Sequence, residues 1–254
     1  MADSPEYLKR KSFFDQLITV YGRKPVLEIL EDSTIQVFRL HLAESNRSGG
    51  IIQQIQQLAA SRSIEICFHS RAALSRISRN SKQDQGVACD IHCPGYQPYY
   101  QALSNKISGT IIALDGITNP QNLGMIIRSV TASPAEALLL PSKGTADISP
   151  LVIKASAGTV FKGNILRCDK LPQALAEFKQ KGYQICTLSS HQSVPLQNFS
   201  PQAPLVFVLG NESDGVSAEV AALSDHRVGI PMANGVESLN VAVTAALIAL
   251  GSFN

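Results

Sequence analysis

The segments TIIALDG (110–116) and LVFVLGNE (205–212) constrain the fold most tightly. Each is a continuous apolar run that stops at turn residues. A strand wetted on one face alternates apolar and polar; an unbroken run suits a strand of a parallel sheet covered on both faces. AEALLLP (135–141), GYQICTLS (182–189) and HRVGIPM (226–232) are further short strands. Helices are expected between them, at 122–132, 150–157, 172–181, 217–223 and 239–252. This alternation predicts an α/β fold, an open parallel sheet with helices on both sides. Ligands in such sheets bind at the carboxyl ends of the strands. The polar clusters DGITNPQN (115–122), GNESDG (210–215) and PMANGVESLN (231–240) sit at those ends.

The front of the chain reads differently. Residues 1–22 look like an extension with a short helix. Residues 23–93 form a small α/β unit. KPVLEILED, GGIIQQIQQLAASR and RAALSRISR read as helices; IQVFRLHLA, IEICFH and GVACDIH read as strands. In IEICFH, residues Ile64, Ile66 and Phe68 fall on one face. CPGYQPYYQALSNK, with two prolines, a glycine and three tyrosines, marks a linker at 94–108, and 109–254 is the second domain.

Composition excludes several classes. No apolar run reaches the ~18 residues of a membrane span, and the start lacks the pattern of a secretory signal. Five cysteines in 254 residues form no disulfide framework, which favours reduced thiols in the cytoplasm. Net charge is +2, yet residues 1–82 carry twelve Lys and Arg against eight Asp and Glu. The clusters YLKRK (7–11) and 62–82 are a modest sign of a polyanion partner. Cys67, His69, Cys89, His92 and Cys93 lack the usual zinc-knuckle spacing, so packing is preferred and no metal is expected. There is no G-x-G-x-x-G after a strand, no phosphate-loop Lys-Ser/Thr after Gly163, and no G-x-S-x-G elbow.

Three segments carry the chemistry. In LDGITNPQNLGMIIRS, Asn122 reads as the N-cap of a helix whose stripe is Leu123, Ile126, Ile127 and Val130. Arg128 points away from that stripe with Gly124 directly behind it. It is either an exposed surface arginine or a cation aimed into a cleft, with Gly124 letting a ligand approach. In PLVFVLGNESDGVS, a strand ends at Gly210, followed by Glu212 and Gly215; a plain strand-to-helix turn is the simpler reading. In IPMANGVESLNVAVTAALIAL, Ser238 reads as the cap of a helix apolar all round. Leu239, Val243, Ala246 and Leu250 form one side, and Val241, Ala245 and Ile248 the other. Such a helix is either a core helix or a subunit interface.

Together, N-P-Q-N-x-G-x-x-x-R, L-G-N-E-x-x-G and I-P-M…S-L-N resemble the three motifs of the SpoU (TrmH-like) RNA ribose 2′-O-methyltransferases of the SPOUT class. The likeness runs over 109–254 and includes VIKASAGTV. Residues 23–93 more weakly resemble the ribosomal-protein-like RNA-binding domain that precedes the catalytic domain in many members. Departures are Asn119, where the family often has aspartate, and TASPAEALLL, where it usually has a glycine-containing turn.

The resemblance implies a parallel sheet ending in a trefoil knot, S-adenosylmethionine as cofactor, and a homodimer with the active site near the interface. It implies that Gly210, Ile230 and Leu239 contact the cofactor largely through backbone groups and that Leu188 lines the adenine pocket. Its polar set is Asn122, Arg128, Glu212, Ser238 and Asn240. In the family the arginine is proposed as base. That is demanding for a guanidinium. The milder reading is that Arg128 holds a phosphate or the developing alkoxide while Glu212 or a water takes the proton, and Ser238 and Asn240 orient the ribose. YLKRK and 62–82 would contact RNA phosphates, and the linker tyrosines would stack on bases. A 23S rRNA guanosine is the favoured substrate. A tRNA ribose 2′-O-methyltransferase and a non-catalytic RNA-binding or ribosome-assembly protein are the alternatives.

Overall fold

The computed structural model describes residues 13–251 apart from 15, 94, 105–108, 190–193 and 202–203. YLKRK lies outside the described residues. The chain divides into two compact units, Met1–Pro94 and Gly95–Asn254.

In the first unit the described elements are β1 (Leu17–Tyr21), α1 (Arg23–Glu31), β2 (Val37–Ala43), α2 (Gly50–Ser61), β3 (Glu65–His69), α3 (Arg71–Ser78) and β4 (Val87–His92). Strand order is β1-β4-β2-β3. β4 runs antiparallel to β1 and β2, and β3 runs parallel to β2. Alternation places Leu40 and Leu42 on the buried face, and α1 and α2 contribute Val26, Ile29, Leu30, Ile52, Ile55 and Ala59 to the same core.

One expectation fails here. The end of the supposed extension is strand β1, paired along its whole length with β4 and burying Ile18 and Val20. Phe68 is 57% exposed, because β3 is the edge strand and the cover does not reach its outer end. The thiols are all free. Cys89 and Cys93 are buried, whereas His69 Nε2 bonds His41 Nδ1 (3.0 Å) and His92 sits between Gln16 and Gln36. Among the described residues, no three His, Cys, Asp or Glu converge as a metal site.

The second unit contains β5 (Tyr96–Pro98), α4 (Tyr99–Ser104), β6 (Ile111–Leu114), α5 (Pro120–Thr131), β7 (Ala137–Pro141), α6 (Pro150–Ala155), β8 (Ile165–Cys168), α7 (Leu171–Gln180), β9 (Gln184–Leu188), β10 (Val194–Pro195), β11 (Leu205–Leu209), α8 (Ala218–Leu223), β12 (His226–Gly229) and α9 (Val241–Leu250). The sheet runs β10-β12-β9-β11-β6-β7-β8-β5, and every pairing is parallel. β6, β7 and β11 are buried at every position, as their unbroken apolar sequences require. On one face Ile111, Ala113, Leu139 and Val206 pack with Leu175 and Phe178 of α7. Leu123, Ile126, Ile127 and Val130 of α5 are also buried. Among the described residues, no helix is long and apolar enough to cross a membrane.

The segment read as a linker is structured over 95–104. β5 extends the sheet at its edge, where Pro98 needs no donor. Tyr99 enters the core beside Phe178, and the Arg167 guanidinium lies 4.6 Å from the Tyr96 ring centre. Of the three tyrosines, Tyr100 is exposed and Tyr96 half-buried, whereas Tyr99 is buried and offers no ring for stacking on bases.

Strand order reverses between β6 and β11. The loops after these two neighbouring strands therefore emerge side by side, the position at which open α/β sheets bind ligands.

Candidate active site at the carboxyl ends of the central strands

Helix α5 is capped by Asn119, not Asn122. Asn119 Oδ1 accepts from the backbone N–H of Gln121 (2.8 Å) and Asn122 (3.4 Å), and Pro120 occupies the first helical position. This leaves the Asn122 side chain free for the site. It is buried, and its Nδ2 donates to Glu212 Oε1 at 2.8 Å. Helix α9 is capped in the same manner by Asn240, whose Oδ1 accepts from Ala242 N–H at 2.9 Å. Ser238 stands two residues too early to cap it. The other end of the Asn240 amide donates to Glu212 Oε1 (3.0 Å) and to Asn122 Oδ1 (3.1 Å). One carboxylate oxygen thus holds three segments together, and the amide orientations are mutually consistent because a carboxylate only accepts.

The loop that carries Glu212 is itself fastened. Asn211 and Gly215 exchange two backbone hydrogen bonds of 2.9 Å. Asn211 Nδ2 donates to Gly116 O at 2.9 Å, and its Oδ1 accepts from Ser213 N–H at 2.8 Å. Asp115 Oδ2 accepts from Ser217 N–H at 2.7 Å. Gly210 is required by contact: a Cβ there would overlap the carbonyl carbon of Gly215. Sequence reasoning missed Asn211 and Asp115 as positioning groups. The signal was a hydrogen-bonding residue within two positions of the end of each buried strand, in LDG and LGNE.

Beside the cluster lies an open cleft with apolar walls and a few polar groups, the mixture small-molecule sites use. Leu188, Gly210, Ile230 and Leu239 line it, as do Glu212 and Ser238. Met232, Glu237 and Thr244 complete parts of the wall. Asn122 and Asn240 reach the cleft through Glu212.

Arg128 is not brought into this group. It is exposed, and its side chain has no hydrogen bond or ion pair with any described residue. It lies six residues beyond Asn122, about 9 Å further along α5 and turned roughly 120° around it. Gly124 does not clear space for a ligand. A Cβ at 124 would stand 2.5 Å from Ala155 Cβ and 2.7 Å from Val152 O, so the glycine lets α5 and α6 cross closely.

Residues 109–250 match the model of the SpoU rRNA methylase family. The chain belongs to that family. It is by family an RNA methyltransferase, and residues 19–97 match the model of the RNA 2′-O ribose methyltransferase substrate-binding domain. An uncharacterized tRNA/rRNA methyltransferase of Mycolicibacterium vanbaalenii is 31% identical over 92% of this chain and 75% of its own length. The SpoU fold seen here is shared with an AdoMet-bound rRNA methyltransferase from Sinorhizobium meliloti (23% identity, 95% of this chain and 88% of that one, TM-score 0.61). A TrmH/SpoU tRNA modifying enzyme from A. aeolicus aligns with 59% of this chain and 80% of its own (26% identity, TM-score 0.50).

Proposed function

We propose that the protein transfers the methyl group of S-adenosylmethionine to a ribose 2′-hydroxyl of RNA, and that the RNA is ribosomal, with a 23S guanosine as acceptor. The observation that carries the reading is the Asn122–Glu212–Asn240 cluster at the wall of the cleft. The cleft suits the cofactor: Leu188, Ile230 and Leu239 offer apolar walls for an adenine, and Gly210 leaves backbone exposed for polar contacts. When bound, the cofactor supplies a methyl group already joined to its leaving group. The protein's tasks are positioning and proton removal.

Glu212 is the proton acceptor in this reading. Its Oε1 is anchored by two amides, which fixes the carboxylate and turns its reach toward the cleft. Ser238, exposed on the cleft wall, orients the ribose. Arg128 holds a phosphate of the RNA. Because it leaves α5 away from its own cluster, it serves the cleft of a second copy of the chain. Val243, Leu247 and Leu250 of α9, each about half exposed and spaced by one helical turn, form the apolar face that a second copy covers. The carboxyl-terminal part of the second unit forms a trefoil knot in this reading. The free thiols fit a reducing cytoplasm.

Ribosomal RNA is preferred because the substrate-binding match adds a whole unit to the catalytic one. The test is incubation with methyl-labelled donor and separate 23S rRNA and tRNA pools, followed by mapping of the labelled nucleotide. Label at a ribose of 23S rRNA is expected. Label confined to tRNA, or to a base, overturns the substrate or the reaction.

A further inference from the structure

The first unit is electrically polarised along its strands. β1, β2 and β3 end, and β4 begins, at the same edge of the sheet. The connections there are 22–24, 44–50 and 70–86, and they bring together seven Lys and Arg with two carboxylates. One of the two carboxylates, Asp84, is fully buried. It accepts from Ser75 and Ser78 hydroxyls and Gly86 N–H and pairs with Arg71 at 3.1 Å. Its charge is neutralised below the surface.

The three connections are stitched into one surface. Asn46 Nδ2 donates to Gly86 O (2.7 Å), Arg23 Nη2 donates to Asn46 Oδ1 (3.4 Å), and Asn80 Nδ2 donates to the Tyr21 hydroxyl (3.0 Å). On this scaffold Lys24, Arg47, Arg76, Arg79 and Lys82 are exposed and pair with no carboxylate among the described residues. The opposite end carries Glu31, Asp32 and Glu65. Two arginines stand there: Arg39 pairs with Glu65 at 2.9 Å, and Arg62 turns inward to the carbonyls of Ile29, Leu30, Asp32 and Ile35. Arg62 is therefore removed from the RNA-contacting stretch 62–82, while Lys24 and Arg47, distant in sequence, join it.

We propose that this cationic end is where the first unit grips the sugar–phosphate backbone of the RNA. The proposal rests on the RNA-methyltransferase reading above. Unpaired cations on a rigid, hydrogen-bonded edge suit repeated phosphates: each contact releases counterions, and the charges need not be freed from carboxylates first.

The test compares the full chain with Arg47→Ala/Arg76→Ala/Lys82→Ala, using Lys170→Ala in the second unit as control. Binding to protein-free 23S rRNA is measured by fluorescence anisotropy from 0.05 to 0.3 M salt, and S-adenosylmethionine binding by calorimetry. The triple variant should bind RNA about tenfold or more weakly at 0.15 M salt, with a log–log salt slope shallower by about two to three. Donor binding should be unchanged, and the control should match wild type. Unchanged RNA affinity and slope in a variant that still binds donor overturns this face while leaving the methyltransferase reading standing. A wild-type chain that binds donor but neither binds nor methylates any RNA overturns both. Loss of binding to ribosomal particles with naked-RNA binding intact overturns RNA as the partner in favour of a protein.

Discussion

Glu212 Oε1 receives the amides of Asn122 and Asn240 and faces the backbone N–H of Val241 at 3.5 Å, at the start of α9. Hydrogen bonds to a charged acceptor contribute about 1.5–3 kcal/mol each, and a helix N-terminus favours an anion beside it. The carboxylate therefore has a fixed orientation before any substrate arrives. Gly124 has a different task one turn along α5. Replacing it with alanine drives a methyl group into Ala155 and the Val152 carbonyl. Gly124→Ala should lose about 1–3 kcal/mol of stability, as overpacked contacts do, seen as a Tm lower by several degrees. Donor affinity at permissive temperature should change little. A variant of wild-type stability that fails to bind donor would restore the idea that the glycine serves a ligand. The motifs grouped Asn122, Glu212 and Asn240, which hydrogen bonds do join, but they also grouped Arg128, which stands apart, and they did not show local duties. NPQN offers two asparagines, and only the backbone conformation shows that Asn119 caps while Asn122 crosses to Glu212.

Helix α9 shows how far periodicity reaches. Its apolar circumference was readable, as was the split into two sides. Val241, Ala245 and Ile248 are buried, while Val243 and Leu250 are exposed together with Leu247. What a single chain's sequence leaves open is which side meets its own protein and which a second copy. If a second copy covers the exposed side, Leu247→Asp should convert a dimer to a 27.3 kDa monomer by light scattering and abolish methyl transfer. Mixing Arg128→Ala with Glu212→Gln chains gives a sharper reading. An arginine acting across the dimer leaves one intact site in each mixed dimer, so about a quarter of wild-type activity returns on subunit exchange. An arginine acting within its own chain returns none.

On the scale of the whole chain, two units were legible from the change of pattern near residue 100. The border was not, because prolines and tyrosines in CPGYQPYYQALSNK read as loop chemistry. A three-residue strand has no period to detect, and the same holds for β8 and β10, with four residues and two. The border has an experimental consequence. A fragment of residues 95–254 should unfold cooperatively and bind donor. A fragment of 109–254 lacks Tyr99 and Ala102 from the core and uncovers the edge of β8. It should melt at least ~5 °C lower, given about 2–4 °C per kcal/mol for a unit of this size. Equal melting temperatures would mean that β5 and α4 are appended rather than integral.

The bond between Asn122 and Asn240 joins groups 118 residues apart, and Glu212 lies 90 residues after the first of them. During synthesis Asn122 leaves the ribosome well before its partners exist. A chain released between Glu212 and Asn240 has the helix, the arginine and the carboxylate, yet lacks one of the two amides that orient it. An incompletely translated copy could still meet RNA through its first unit, but it would carry no assembled site with which to mark it.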